Sequence, residues 1–231
     1  MRFTLWEDFL SLVFPVTCCV CRRSLFSFED HLCKICIARL PITSYHLIPF
    51  ENDLKVKLLG LAPVDRAMAF LRFSKRGMSQ RILHQLKYKN KPGLGIVLGR
   101  IYGQLLLESG YADIWDLVIP VPLHQAKLRK RGYNQSEQFA IGLAQTLHFP
   151  KMNLLIRSVP TPTQTNKSRI QRWENVSNVF QLEGLAPQIE GKRILLVDDV
   201  MTTGATLAAC ALSLNQHQPL AIDMAVIAAG K

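Results

Sequence analysis

The chain has 231 residues, 48% of them apolar, enough for one sizeable domain with a small extra module and too apolar for wholesale disorder. Its apolar runs fall short of the roughly 20 residues of a membrane span, so no span is expected. Lys and Arg outnumber Asp and Glu by 28 to 17, a formal charge of +11, which points to anionic partners such as phosphates, nucleic acid or acidic lipid without choosing among them.

In chain order, an amphipathic helix is expected over residues 4–13, stopped by Pro15. The short apolar stretch at 9–14 follows Glu7 and Asp8 rather than a basic segment, so it does not read as a signal peptide. Five of the six cysteines, Cys18, Cys19, Cys21, Cys33 and Cys36, lie within nineteen residues, with Cys210 apart. Clustered thiols without a secretion signal point to metal rather than disulfides. Cys18-x₂-Cys21 and Cys33-x₂-Cys36 offer four thiolates to one tetrahedral Zn²⁺, and a site closed by four protein ligands is structural. Cys19 is the alternative ligand to one of these. Cys210 sits in an apolar helix and is expected in the core.

Residues 46–65 show little periodicity and read as a linker. A strand is expected over 67–73, then helices over 79–88 and 94–108, split at Lys91-Pro92-Gly93. A buried strand over 117–121 leads into a basic loop holding Lys127, Arg129, Lys130 and Arg131, next to Gly132, Tyr133, Asn134 and Gln135. A helix follows over 136–147, with Asn134 and Glu137 in the N-cap and N3 pattern. A strand over 152–159 and a polar, basic, mobile loop over 160–179 come next. A strand over 194–197, a helix over 205–214 and a last strand over 221–228 complete the pattern. Strands alternating with helices predict an α/β domain with a mostly parallel sheet flanked by helices.

The segment at 194–206 carries the most chemistry. Four apolar residues make a buried strand, and Asp198 and Asp199 follow at its C-terminal end, where open α/β sheets bind ligands. Thr202, Thr203, Gly204, Ala205 and Thr206 then open a helix. Small residues let backbone N–H groups converge on an anion, and the helix dipole favours it. The acids suit sugar hydroxyls or a hydrated Mg²⁺ shared with phosphate oxygens. The basic run at 127–131 would suit a pyrophosphate leaving group, or is a solvated turn. The glycine-rich run at 93–99 lacks a preceding strand and the right glycine spacing for a dinucleotide loop.

The block at 194–206 resembles the signature of type I phosphoribosyltransferases. The resemblance implies that Asp198 and Asp199 are the catalytic acids, holding the ribose hydroxyls of phosphoribosyl pyrophosphate with Mg²⁺, and that residues 202–206 cradle its 5-phosphate. The wider order of motifs is similar to the ComF competence family: Pro120 to Leu123, Arg131 to Gln135, Gln164 with Arg169, Arg172 and Asn175, then the Asp-Asp block. An N-terminal double Cys pair and Leu86-Lys87-Tyr88 fit the same pattern, whereas Asn166-Lys167 departs from the usual Gly-Leu. The resemblance implies a zinc module over 1–45, a linker and acceptor-choosing hood over 46–100 and a phosphoribosyltransferase-like core over 101–231. It implies a cytoplasmic role in natural transformation, with phosphoribosyl pyrophosphate, single-stranded DNA and the DNA-uptake machinery as partners. Arg129, Lys130, Arg131, Asn134 and Gln135, and Gln164, Arg169 and Arg172, are the expected pyrophosphate and flexible-loop residues. Two functions stay open: phosphoribosyl transfer to an acceptor the sequence does not name, or a non-catalytic module that senses the ligand or handles single-stranded DNA.

Overall fold

In a computed structural model the protein is described over residues 15–157, 179–182 and 189–230. The helix expected at 4–13 and nearly all of the loop at 160–179 lie outside these residues, as do Gln164, Arg169, Arg172 and Asn175.

The elements in chain order are α1 (Lys34–Ala38), α2 (Asp53–Leu58), β1 (Ala67–Arg72), α3 (Met78–Tyr88), α4 (Pro92–Glu108), β2 (Leu117–Pro120), α5 (Gln125–Arg131), α6 (Gln135–Leu147), β3 (Leu155–Arg157), β4 (Phe180–Leu182), β5 (Arg193–Met201), α7 (Ala205–Asn215) and β6 (Ala221–Ala229). Four strands form one sheet in the order β1-β6-β5-β2, and each pairing in it is parallel. The main sheet is thus the one the sequence predicts.

Alternation along each strand divides the core. Phe70, Leu195, Val197, Ala225 and Ile227 face one side, where α3, α4 and α6 supply Leu86, Leu98, Tyr102, Phe139 and Leu143. Ile194, Leu196, Met224 and Val226 face the other, where α7 supplies Leu207, Ala211 and Leu214, and α2 supplies Leu54 and Leu58. Strands buried on both faces read as continuous apolar runs, which is why 194–197 and 221–222 show no polar alternation. The buried charge of Asp223 on β6 is satisfied: it accepts from Arg66 Nη1 at 2.8 Å and Trp115 Nε1 at 2.8 Å.

Four sequence expectations change. The basic loop after β2 is largely helix: His124 caps α5 by accepting from the Ala126 N–H at 3.2 Å, and Gly132 ends it in the left-handed region at φ 83°. The linker at 46–65 contains α2, started by Asn52, whose side chain accepts from the N–H groups of Leu54 and Lys55. The strand expected over 152–159 begins only at Leu155, with positions 158 and 159 outside the described residues, and it leaves the main sheet, pairing antiparallel with β4. The strand over 194–197 runs on to Met201, so both acids lie within it.

The glycines of 93–99 serve packing. A Cβ on Gly99 would lie 2.3 Å from Phe139 O, and one on Gly142 would lie 2.2 Å from Ile96 O. Helices α4 and α6 therefore touch backbone to backbone. Gly99→Ala or Gly142→Ala should destabilise the protein by about 2 kcal/mol, because overpacking against backbone outweighs the roughly 1 kcal/mol of helix propensity gained. Urea denaturation of each variant measures this.

Candidate functional site

Strand β2 ends at Pro120, opposite Val197, with one further bond from the Val121 N–H to Val197 O at 2.8 Å. On its other side β5 stays paired with β6 out to Met201 and Ala229. Residues 198–201 therefore project past β2 with one edge open, and the two acids stand at that edge.

Asp198 accepts from Ser136 Oγ at 2.8 Å and from the Asp199 N–H at 2.8 Å. Ser136 lies in the first turn of α6, whose start is fixed by Asn134. The Asn134 side chain accepts from the Ser136 N–H at 3.2 Å and donates to Val121 O at 2.9 Å. Glu137 does not close the expected capping pattern; it accepts from Lys151 and Asn153, each at 2.7 Å. Asp199 meets Lys87 Nζ at 2.9 Å. Burial, and then the neighbouring Asp199, push Asp198 up to about 7, although the Asp199 N–H, Ser136 and Lys87 favour its ionised form.

After Met201 the chain turns through Thr202, Thr203 and Gly204 into α7. Gly204 adopts φ 81°, the left-handed region that favours glycine. A Cβ there would also come within 3.0 Å of Leu58 and Met201 side chains. No side chain caps α7; its first helical bond runs from the Ala208 N–H to Gly204 O at 2.8 Å. The N–H groups of Ala205, Thr206 and Leu207 consequently have no partner within the helix. These residues, with Asp198 and residues 200–204, line a small cavity of about 30 Å³. Backbone N–H groups at a helix start, a forced glycine and hydroxyls beside a carboxylate form a donor set that fits a phosphate next to a sugar diol.

The other expected residues fall in distinct places. Arg129, Lys130 and Arg131 occupy the last turn of α5. Lys130 and Arg131, with Lys127, Lys87, Tyr88 and Asn90, line a cavity of about 400 Å³, whereas Arg129 is exposed outside it. Gln135 is buried and accepts from Arg131, so it braces the cation and does not face solvent. Ser136 and Lys87, two side chains that contact the acids, were not among the expected site residues. Their signals were their positions: Ser136 directly follows the Arg131–Gln135 motif, and Lys87 is the centre of Leu86-Lys87-Tyr88.

Near the N-terminus the sulfurs of Cys18, Cys21, Cys33 and Cys36 all lie within 4.8 Å of one another. Cys19 is not in this group. Burial raises the Cys18 thiol, but N–H groups of Cys21, Cys33 and Val20 outweigh it and bring it down to about 6, while burial pushes Cys36 up. Four thiols this close fit one tetrahedral Zn²⁺. Those four residues would hold it, and the metal would supply cohesion to a segment too small for its own core. Cys18, Cys33 and Leu32 also join the apolar cluster that contains Leu94 of α4. Cys210 is buried in α7, as expected. No helix among the described residues is long and apolar enough to cross a membrane.

Purified Cys33→Ser protein should lose about one equivalent of zinc by elemental analysis, with early melting of the segment around it. Asp198→Asn gives a second test. The Asp198 carboxyl is raised in the fold, so its burial costs stability that grows as pH climbs from the ordinary carboxylate range to about 7. The Asn variant should therefore melt higher than the wild type at pH 8, and this gain should vanish near pH 4.

The phosphoribosyl transferase domain family matches residues 133–231. DNA utilization protein YhgH of Escherichia coli O157:H7 is 30% identical over 221 residues, covering 85% of this chain and 89% of that protein. The protein of the same name from Escherichia coli (strain K12) is 32% identical over 150 residues, covering 62% of this chain and 63% of that protein. Competence protein F of Haemophilus influenzae is 38% identical over 130 residues, covering 54% and 57% respectively. The last two alignments span less than two thirds of those proteins. With a parallel sheet, an acid pair at its open edge and a four-cysteine cluster in place, the chain belongs to the family of the YhgH and ComF proteins and carries their type I phosphoribosyltransferase-like fold.

Proposed function

We propose that the protein binds phosphoribosyl pyrophosphate with Mg²⁺ at residues 198–206 and acts in the cytoplasm in DNA uptake or utilisation. The observation that carries this reading is the meeting of Asp198 with residues 205–207, whose N–H groups have no partner within their own helix, at one cavity. The relatives' names, DNA utilization and competence, support the biological role.

On this reading Asp198 and Asp199 hold the ribose hydroxyls, and Thr202, Thr203, Gly204, Ala205 and Thr206 receive the 5-phosphate. Lys130 and Arg131 face the pyrophosphate. Transfer would form a bond from an acceptor nucleophile to C1 of ribose and break the C1–O bond, the electron pair leaving with pyrophosphate. Cations near that oxygen stabilise the charge that develops on it. Bound Mg²⁺ would supply further neutralisation of the pyrophosphate. Ser136 keeps Asp198 oriented, and Gln135 keeps Arg131 turned toward the cationic cavity.

A second reading uses the same fold to handle single-stranded DNA without turnover. It is favoured by Tyr88, 67% exposed beside the cationic cavity, with the Arg131 guanidinium 5.9 Å from its ring centre. An exposed ring among cations suits base stacking next to phosphate contacts.

Calorimetry separates the two. Phosphoribosyl pyrophosphate should bind the wild type only with Mg²⁺, and the double variant Asp198→Asn with Asp199→Asn should lose binding. Wild-type affinity in the double variant would sink the site assignment. Pyrophosphate release with a panel of bases would establish transfer. Oligonucleotide binding that falls steeply with salt, with no release from any base, favours the second reading.

A further inference from the structure

Lys87 lies one residue before the end of α3, and its ammonium is 2.9 Å from Asp199 Oδ2. Both side chains are largely shielded, at 25% and 17% exposure. Lys87 also lines two cavities. The first, about 400 Å³, is walled by Tyr88, Asn90, Lys127, Lys130 and Arg131 and has no acid on its wall among the described residues. The second, about 390 Å³, is walled by Phe73, Leu83, His84, Val200 and Thr202, with Asp199. Lys87 and Tyr88 are the residues common to both, and Lys87 is the one paired with an acid.

These surroundings give the ammonium two competing demands. On one side it neutralises half of an adjacent carboxylate pair. On the other it belongs to a group of four cations around a space that has no acid among its described lining residues. Mutual repulsion within that group favours the Asp199 contact. A diphosphate in the cationic cavity would reverse the preference, since it attracts all four cations, and a divalent cation or sugar diol would take the carboxylate instead. A lysine suits such an exchange: it is a compact charge with three donors on a flexible stem.

We propose that Lys87 is a mobile counter-ion of this site: it leaves Asp199 for the diphosphate group of the ligand and frees Asp199 for the sugar or its divalent cation. This rests on the phosphoribosyl reading above and adds a ligand-binding residue and an order of charge exchange to it. One side chain thereby couples the phosphate-binding cavity to the acid pair. A ligand with a diphosphate exchanges both contacts, whereas one without it must compete with the ammonium for Asp199.

The test compares two probes, phosphoribosyl pyrophosphate and ribose 5-phosphate, each titrated calorimetrically with Mg²⁺ into wild type, Lys87→Met and Lys87→Arg. Lys87→Met should weaken phosphoribosyl pyrophosphate by about tenfold or more, because a charge-assisted contact is lost. It should leave ribose 5-phosphate unchanged or tighter, because Asp199 no longer needs freeing. Lys87→Arg should keep phosphoribosyl pyrophosphate within about threefold of wild type, since the charge is kept. Three results each overturn the proposal: wild-type affinity for phosphoribosyl pyrophosphate in Lys87→Met, equal weakening of both probes, or equal losses in the Met and Arg variants. In all three the wild type still binds, so the phosphoribosyl reading stands. If the wild type binds neither probe, that reading fails and the proposal falls with it.

Discussion

The site depends on where the chain changes faces of the sheet. From β2 the chain crosses to β5 with α6 on one face, and from β5 to β6 it crosses with α7 on the other. Strand β5 thus sits where successive crossovers diverge, and a crevice opens beyond its carboxyl end. Two neighbours hold β5 through Val197, but β6 alone holds it beyond. The acids gain exposure on one edge without losing the rigidity of a central strand. Each wall of the crevice then brings one kind of chemistry: α6 a hydroxyl, α3 an ammonium, and the start of α7 unsatisfied N–H groups.

Adjacent carboxylates in a half-buried position are electrostatically awkward, since each raises the free energy of ionising the other. The fold gives the two different partners. Asp198 receives neutral donors, Ser136 and a backbone N–H, and its ionisation is delayed to about 7. Asp199 receives a full cation. Because their surroundings differ, the two acids are not equivalent: neutral donors hold one and an ammonium holds the other.

Much of this was legible in the sequence. The apolar run before Asp198, the Thr-Gly turn and the paired cysteines each carry a local physical signature, and each lies where that signature places it. Asn134 announced the start of α6 correctly, although Glu137 turned to Lys151 and Asn153 instead of back to the cap. Other parts depended on tertiary contact and left no local trace. Four cations within 127–131 read as a loop because their charges repel, yet His124 and Gly132 bracket them as α5. Among the described residues the short β3 and β4 pair with each other alone, and three-residue strands carry too little periodicity to recognise. Lys87 reaches Asp199 from 112 positions earlier in the chain. Its place in Leu86-Lys87-Tyr88 marks the residue, but nothing in that segment names Asp199 as its partner. The glycines at 93, 95 and 99 resembled a dinucleotide loop in composition, whereas Gly95 and Gly99, with Gly103, line the seam between α4 and α6.

That seam limits how the protein can diversify. Where two helices press main chain against main chain, no larger residue can be added as a wedge, so α4 and α6 form one block that carries Ser136 as a fixed post. Altered specificity on this scaffold must therefore arise in the walls that are lined by side chains, chiefly residues 73–90 and the turn of α5. New partners can be accommodated there by substitution of surface groups, while the post beside the acid pair stays where the glycines set it.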